Sequence, residues 1–252
     1  MLKKLGSQAL FILLITLLSI HAHAKIYSGV LKGYTKWQGE VFVEGDIVIP
    51  EDSVLVIMPG TKVTFLPARS STDHVAKNFK NPEHTFGTVG KCDIFVYGSV
   101  RFLGNSKAPI ILGNTAKDQF EKNVIGWGGI ILMPEAQTVK ISYAKFQFAE
   151  KALQITGNLK CEVDHCSFIG NKTGIETLEM SEPLILKNTF KSNNIGILVT
   201  DKSFPRIYYN TFIGNVEAAV KVTDIAYPVG NGNKFQANAR DIWDLRNILY
   251  RE

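Results

Sequence analysis

Four side chains able to do chemistry fall at one spacing. Tyr143, His165, Lys187 and Tyr209 lie 22 residues apart, with Arg206 and Tyr208 close to the last. Aromatic and basic groups in a row suit stacking on sugar rings. The same groups would equally serve to end strands. Glu179 and Asp201 share that spacing, and Asp224 lies one residue beyond the next step. Three acids in a row could hold Ca²⁺ or a cationic group. Turns are polar in any case, so a set of solvated turn acids is the competing reading.

Other reactive side chains lead less far. Cys161 and Cys166 are close in sequence. An extended chain separates them by about 16 Å, at about 3.3 Å per residue. A disulfide needs Cα atoms within about 7 Å. Cys92 lies much earlier in the chain. Buried free thiols are the expectation for Cys92, Cys161 and Cys166. Asp73-His74 and Glu83-His84 could join Cys92 around a metal. Their spacing matches no zinc pattern, so no metal site is assigned.

The spacing itself reveals the elements that position these groups. Cys166-Ser167-Phe168-Ile169-Gly170-Asn171 recurs as Asn188-Thr189-Phe190-Lys191-Ser192-Asn193, then as Asn210-Thr211-Phe212-Ile213-Gly214-Asn215. One inserted residue later comes Asn233-Lys234-Phe235-Gln236-Ala237-Asn238. Columns run through the repeat. Phe146, Phe168, Phe190 and Phe212 form one; Ile141, Val163, Ile185 and Ile207 another. Leu153, Ile175, Ile197 and Ala219 are expected as a third, and Asn171, Asn193 and Asn215 as a polar one. The apolar runs are too short for helices and are broken by Asn and Gly, so they read as strands. One unit cannot bury its apolar side alone. Stacked units can, each strand pairing with its copy about 4.8 Å away. Asn suits the corners, because it tolerates left-handed backbone and bonds neighbouring peptides. The fold expected is all-β: a single-domain right-handed parallel β-helix with coils of about 22 residues.

The rest of the chain fits less regularly. Val41 to Pro50, Val54 to Ile57, Lys62 to Phe65, Ile94 to Phe102 and Gly126 to Leu132 are further strand runs. No helical pattern separates them, which disfavours a βαβ fold. Residues 67–91 are polar and read as a long loop projecting from the stack; such loops are either functional or disordered. Ile242 to Tyr250 carries apolar residues that could close the last coil, whose open edge needs a cap. Residues 1–24 read as a secretory signal. Lys3 and Lys4 precede the apolar stretch Ala9–Ile20, and Ala22-His23-Ala24 is a cleavage site. That stretch is too short to span a bilayer, which needs about 20 residues. The domain is then 25–252, with no membrane span after cleavage and a periplasmic or extracellular destination. The chain holds 28 Lys and Arg against 23 Asp and Glu, a balance too even to argue for nucleic acid.

Several phrases carry a resemblance. Gly45-Asp46-Ile47-Val48-Ile49, Ile57-Met58-Pro59-Gly60-Thr61-Lys62-Val63-Thr64-Phe65, Ala108-Pro109-Ile110-Ile111 and Trp127-Gly128-Gly129-Ile130 resemble openings in exported right-handed parallel β-helix proteins, the pectate-lyase-like superfold. The coil at 188–197 and its copies resemble the repeat of that group, and the likeness covers most of 38–245. It implies the fold and leaves the activity open, since this scaffold hosts lyases, hydrolases, epimerases and non-enzymes. Val163-Asp164-His165-Cys166-Ser167 resembles a short stretch of some pectate lyases, but the repeat accounts for most of that string. The Ca²⁺-binding acids and catalytic Arg pattern of those lyases are not recognisable. The Asn-Thr-Asp, paired-Asp, Gly-His-Gly and Arg-Ile-Lys elements of polygalacturonases are absent; Arg206-Ile207-Tyr208 lacks the final Lys. The expectation is an exported, non-enzymatic module that binds a glycan or docks to an envelope protein. The ligand-binding candidates are Tyr143, His165, Lys187, Tyr209, Glu179, Asp201 and Asp224. No cofactor is assigned, with Ca²⁺ on the acidic row as the open possibility. The alternative is a small lyase, hydrolase or epimerase acting on an acidic glycan.

Overall fold

The computed structural model describes residues 25–66, 91–113 and 127–246. Residues 1–24, read above as a secretory signal, residues 67–90 of the expected loop with both of its histidines, and the chain beyond Arg246 lie outside these residues. Strands are numbered in chain order and wind over three faces. The first face carries the leading halves of β1 (Lys25–Val30) and β3 (Glu40–Ile49). It continues through β5 (Lys62–Phe65), β8 (Ile110–Gly113), β11 (Ala144–Gln147), β14 (Ser167–Ile169), β17 (Thr189–Lys191), β20 (Thr211–Ile213) and β22 (Lys234–Gln236). The second carries the trailing halves of β1 and β3, then β6 (Asp93–Val96), β9 (Gly129–Leu132), β12 (Lys151–Ile155), β15 (Thr173–Thr177), β18 (Ile195–Val199), β21 (Ala218–Val222) and β23 (Ile242–Asp244). The third holds β2 (Tyr34–Trp37), β4 (Val54–Ile57), β7 (Ser99–Leu103), β10 (Val139–Ser142), β13 (Glu162–Asp164), β16 (Leu184–Leu186) and β19 (Arg206–Tyr208). Because β1 and β3 run round a corner unbroken, the first two faces join as one 16-stranded sheet; the third is a separate sheet of seven. Every pairing is parallel, as a continuous coil requires.

The columns read from the sequence are physical columns. Phe146, Phe168, Phe190 and Phe212 are fully buried and stack ring on ring, with centroids 4.8–4.9 Å apart. Ile141, Val163, Ile185 and Ile207 pair in register on the third face. One column needs correction. Leu153, Ile175 and Ile197 align as expected, but Ile197 pairs with Val220, not Ala219. Asn193 still meets Asn215 at 22 residues, so the extra residue falls at 216–217. The same insertion moves Asn210 to Asn233.

Two asparagine ladders hold the corners. Asn188 Nδ2 donates to Val163 O and to Asn210 Oδ1, while Cys166 N–H donates to Asn188 Oδ1. Asn171, Asn193, Asn215 and Asn238 repeat that scheme at the next corner. Each ladder amide oxygen satisfies a corner N–H that would otherwise be orphaned, while its NH₂ adds a bond to a strand carbonyl. A corner residue with positive φ precedes each ladder position: Tyr143, His165, Lys187 and Tyr209 lie at φ 52–55°. Ile242–Asp244, from the segment expected to close the last coil, pairs with β21 as a further coil strand. The rest of that segment beyond Arg246 lies outside the described residues.

Candidate functional site

All seven candidate residues sit at corners, and all have positive φ. Tyr143, His165, Lys187 and Tyr209 occupy the same place on four successive coils, between the third face and the first. Left-handed backbone costs a non-glycine residue about 1–2 kcal/mol. Here the ladder amides fix the corner from behind and turn each side chain away from the core. His165, Lys187 and Tyr209 are exposed and Tyr143 is half-buried. The structure therefore brings together the row that the spacing implied.

The rings in that row do not lie open for stacking. Coils stack along the axis, so equivalent rings face one another. Tyr143 and His165 lie 4.8 Å apart and within 9° of parallel. Gly232 takes the corner after Tyr209, and a Cβ there would come within 2.5 Å of the Tyr209 ring. One face of each of these rings is thus taken by the neighbouring coil. What the row offers outward is ring edges and polar tips, about 4.8 Å apart along the coil stack. Such a row recognises hydroxyl groups by hydrogen bonds rather than flat sugar faces by stacking.

Asp164 and Ser142 join the row, and neither was among the sequence candidates. Ser142 Oγ donates to Asp164 Oδ1 across one coil step. Asp164 Oδ2 lies 2.7 Å from His165 Nδ1. The signal was available, because Ser142 and Asp164 are themselves 22 residues apart.

Glu179, Asp201 and Asp224 fall at the corner between the second and third faces. Their backbones align: Met180 N–H donates to Asp201 O. Asp224 spends its carboxylate within the stack, accepting from Thr200 Oγ1 of the preceding coil at 2.5 Å and from Thr223 Oγ1 beside it at 3.2 Å. Those hydroxyl bonds, Thr200 foremost, hold its carboxyl below the usual range. Among the described residues, no group of three or more His, Cys, Asp or Glu side chains is gathered closely enough for a metal ion. The row is a set of aligned turn acids.

The three cysteines are buried free thiols, in line with the sequence reading. Burial pushes Cys92 up to about 11 and Cys161 and Cys166 to about 12. Thiols so held are poor nucleophiles. Cys166 takes an asparagine's place in a ladder, its Sγ accepting from Ala144 N–H at 3.4 Å. At the corner between the first and second faces, Lys91 and Lys172 both pair with Glu150. Burial works to raise the Glu150 pKa, but the two ammonium groups outweigh it and hold the carboxyl low.

A second surface feature escaped the sequence reading. Phe204 and Tyr227 stack at 5.9 Å, both exposed, with the Arg246 guanidinium 5.4 Å from the Tyr227 ring. They lie 23 residues apart, across the insertion, which hides them from a strict period. No helix among the described residues is long and apolar enough to cross a membrane. Residues 95–244 match the family model described as right handed beta helix region. No curated protein and no solved structure matches the chain.

Proposed function

The chain belongs to the right-handed β-helix family, and from that premise we propose that it is an exported, non-catalytic module binding a hydroxyl-rich polymer, a glycan, along the corner between its third and first faces. The observation that carries this reading is the row Tyr143, His165, Lys187 and Tyr209. It presents polar tips on four successive coils, each on backbone fixed by a ladder amide or its cysteine counterpart. A rigid row of evenly spaced donors and acceptors suits a polymer of evenly spaced hydroxyl groups, because little ordering entropy is lost on the protein side. Export rests on the pattern of residues 1–24. The non-catalytic assignment rests on the roles of the acids: Asp224 and Glu150 are engaged within the fold. A bond-cleaving site would need a proton donor and acceptor set across one ligand bond.

The test is thermal melting of residues 25–252 against a panel of neutral and acidic oligosaccharides, with and without Ca²⁺. Reducing ends and unsaturated products are read in the same wells. A shifted melt without product supports the module. Product formation would replace it with a small polysaccharide lyase or hydrolase. Silence in both channels would direct the search to an envelope protein partner.

A further inference from the structure

Asp164 holds one imidazole in a defined state. Its Oδ2 lies 2.7 Å from His165 Nδ1, and a carboxylate only accepts, so Nδ1–H is the donor. In a neutral ring Nε2 is then the bare acceptor nitrogen. The carboxylate is itself aimed. Its other oxygen accepts from Ser142 Oγ, a buried hydroxyl one coil earlier. The ring is held a second way by its stack on Tyr143, and a third way by the left-handed corner at φ 52°. Among the described residues, Nε2 has no hydrogen-bond partner.

This device belongs to one coil step and not to the repeat. The column that holds Ser142 and Asp164 continues as Leu103 on one side and as Leu186 and Tyr208 on the other. The corner is held without the pair: two residues further on, Ala144 N–H donates to Cys166 Sγ and Cys166 N–H donates to Asn188 Oδ1. A polar pair set into this column at one step, and aimed at an exposed histidine, therefore calls for a local reason.

We propose that Asp164 is a positioning residue that fixes His165 as the Nδ1–H tautomer, making Nε2 the acceptor for a ligand hydroxyl at the corner row. Lys187 stands on the next coil and supplies donors only. An acceptor and a donor about 4.8 Å apart fit two hydroxyl groups on adjacent sugar units. The proposal rests on the ligand-binding reading of the same corner.

The experiment is two-bond ¹H–¹⁵N correlation on the histidine-labelled chain, with His165 assigned by His165→Gln. The expected result is the Nδ1–H tautomer in the wild type, which needs no variant, and a mixed tautomer in Asp164→Asn at unchanged melting temperature. Maltohexaose, cellohexaose, chitohexaose and an oligogalacturonate are then titrated in. The one that binds is expected to move the Nε2 resonance and to lose tenfold or more in affinity in His165→Gln. An Nε2–H tautomer in the wild type overturns the proposal. Binding that leaves Nε2 unmoved overturns it while the ligand-binding reading stands. No binding by any of the four overturns both.

Discussion

Asn193→Ala removes one rung of a ladder, and the structure says what is left behind. Asn193 is fully buried. Its Oδ1 accepts from Asn171 N–H at 2.9 Å and from Asn171 Nδ2 at 3.0 Å. Its Nδ2 donates to Phe168 O at 3.0 Å and to Asn215 Oδ1 at 3.1 Å. Alanine deletes all four. Asn171 Nδ2 keeps Phe146 O, and Asn215 Oδ1 keeps the backbone N–H of residue 193. Phe168 O keeps its strand pairing with the next coil, but Asn171 N–H loses its partner inside the protein. A buried donor so stranded costs about 1–3 kcal/mol. At roughly 2–4 °C per kcal/mol for a chain of this size, the melting temperature falls on the order of 5 °C. The control is Lys191→Ala, exposed on the same coil and expected to change stability by about 0.5 kcal/mol or less. Differential scanning calorimetry at equal concentration reads both. A fall for Asn193→Ala no larger than for Lys191→Ala would refute the claim that the ladder holds the corners.

Further outcomes follow from the same packing. Phe190→Ala takes a ring from the middle of a stack with Phe168 and Phe212, at 4.9 Å on each side; a loss of about 3–5 kcal/mol by denaturant titration is expected. Gly174→Ala would place a Cβ 2.5 Å from Gly196 O and 2.9 Å from Phe190 Cδ1; the backbone oxygen cannot step aside, so soluble yield and melting temperature fall together. Glu150 has a lowered folded pKa through Lys172 and Lys91, so its contribution is present above the ordinary carboxylate value, about 4.3, and fades as pH falls through the lower folded value. The melting gap between wild type and Glu150→Gln should therefore be open at pH 7 and close in acid; a constant gap would contradict it. The thiols run the other way: with folded values near 11 to 12, their contribution is intact below the ordinary thiol value, about 8.5, and is lost as pH climbs toward the folded values. Ellman's reagent at pH 8 should find native thiols unreactive until the chain unfolds.

The repeat was legible because identical side chains stack on themselves. Phe168, Phe190 and Phe212 announce a column before any coordinate is known, and Asn188 and Asn210 announce a corner. Those corners also placed Tyr143, His165, Lys187 and Tyr209 on one line. The register past Asn215 was harder to read. A single extra residue at 216–217 shifts the partner of Ile197 from Ala219 to Val220, and both are small and apolar, so composition does not choose between them. Orientation was beyond the sequence altogether. Spacing put Tyr143 and His165 in one row, but not face to face, and that geometry turns a stacking surface into a row of hydrogen-bonding tips. Val48, Phe95 and Ile131 show a similar limit. They alternate with core residues and gather with Met133 in a second apolar cluster, on the outer side of the second face.

The row itself is the central claim, and its length is its most direct test. From Tyr143 to Tyr209 the corner spans three coil steps, about 14 Å at about 4.8 Å per step. Affinity should be measured by calorimetry against a size series of the oligosaccharide that binds, from two sugars upward. The account predicts that affinity climbs with each added sugar until the chain covers the row, then levels off, and that Lys187→Ala flattens the climb. A disaccharide that binds as tightly as the longest chain, or a series that Lys187→Ala leaves unchanged, would contradict it.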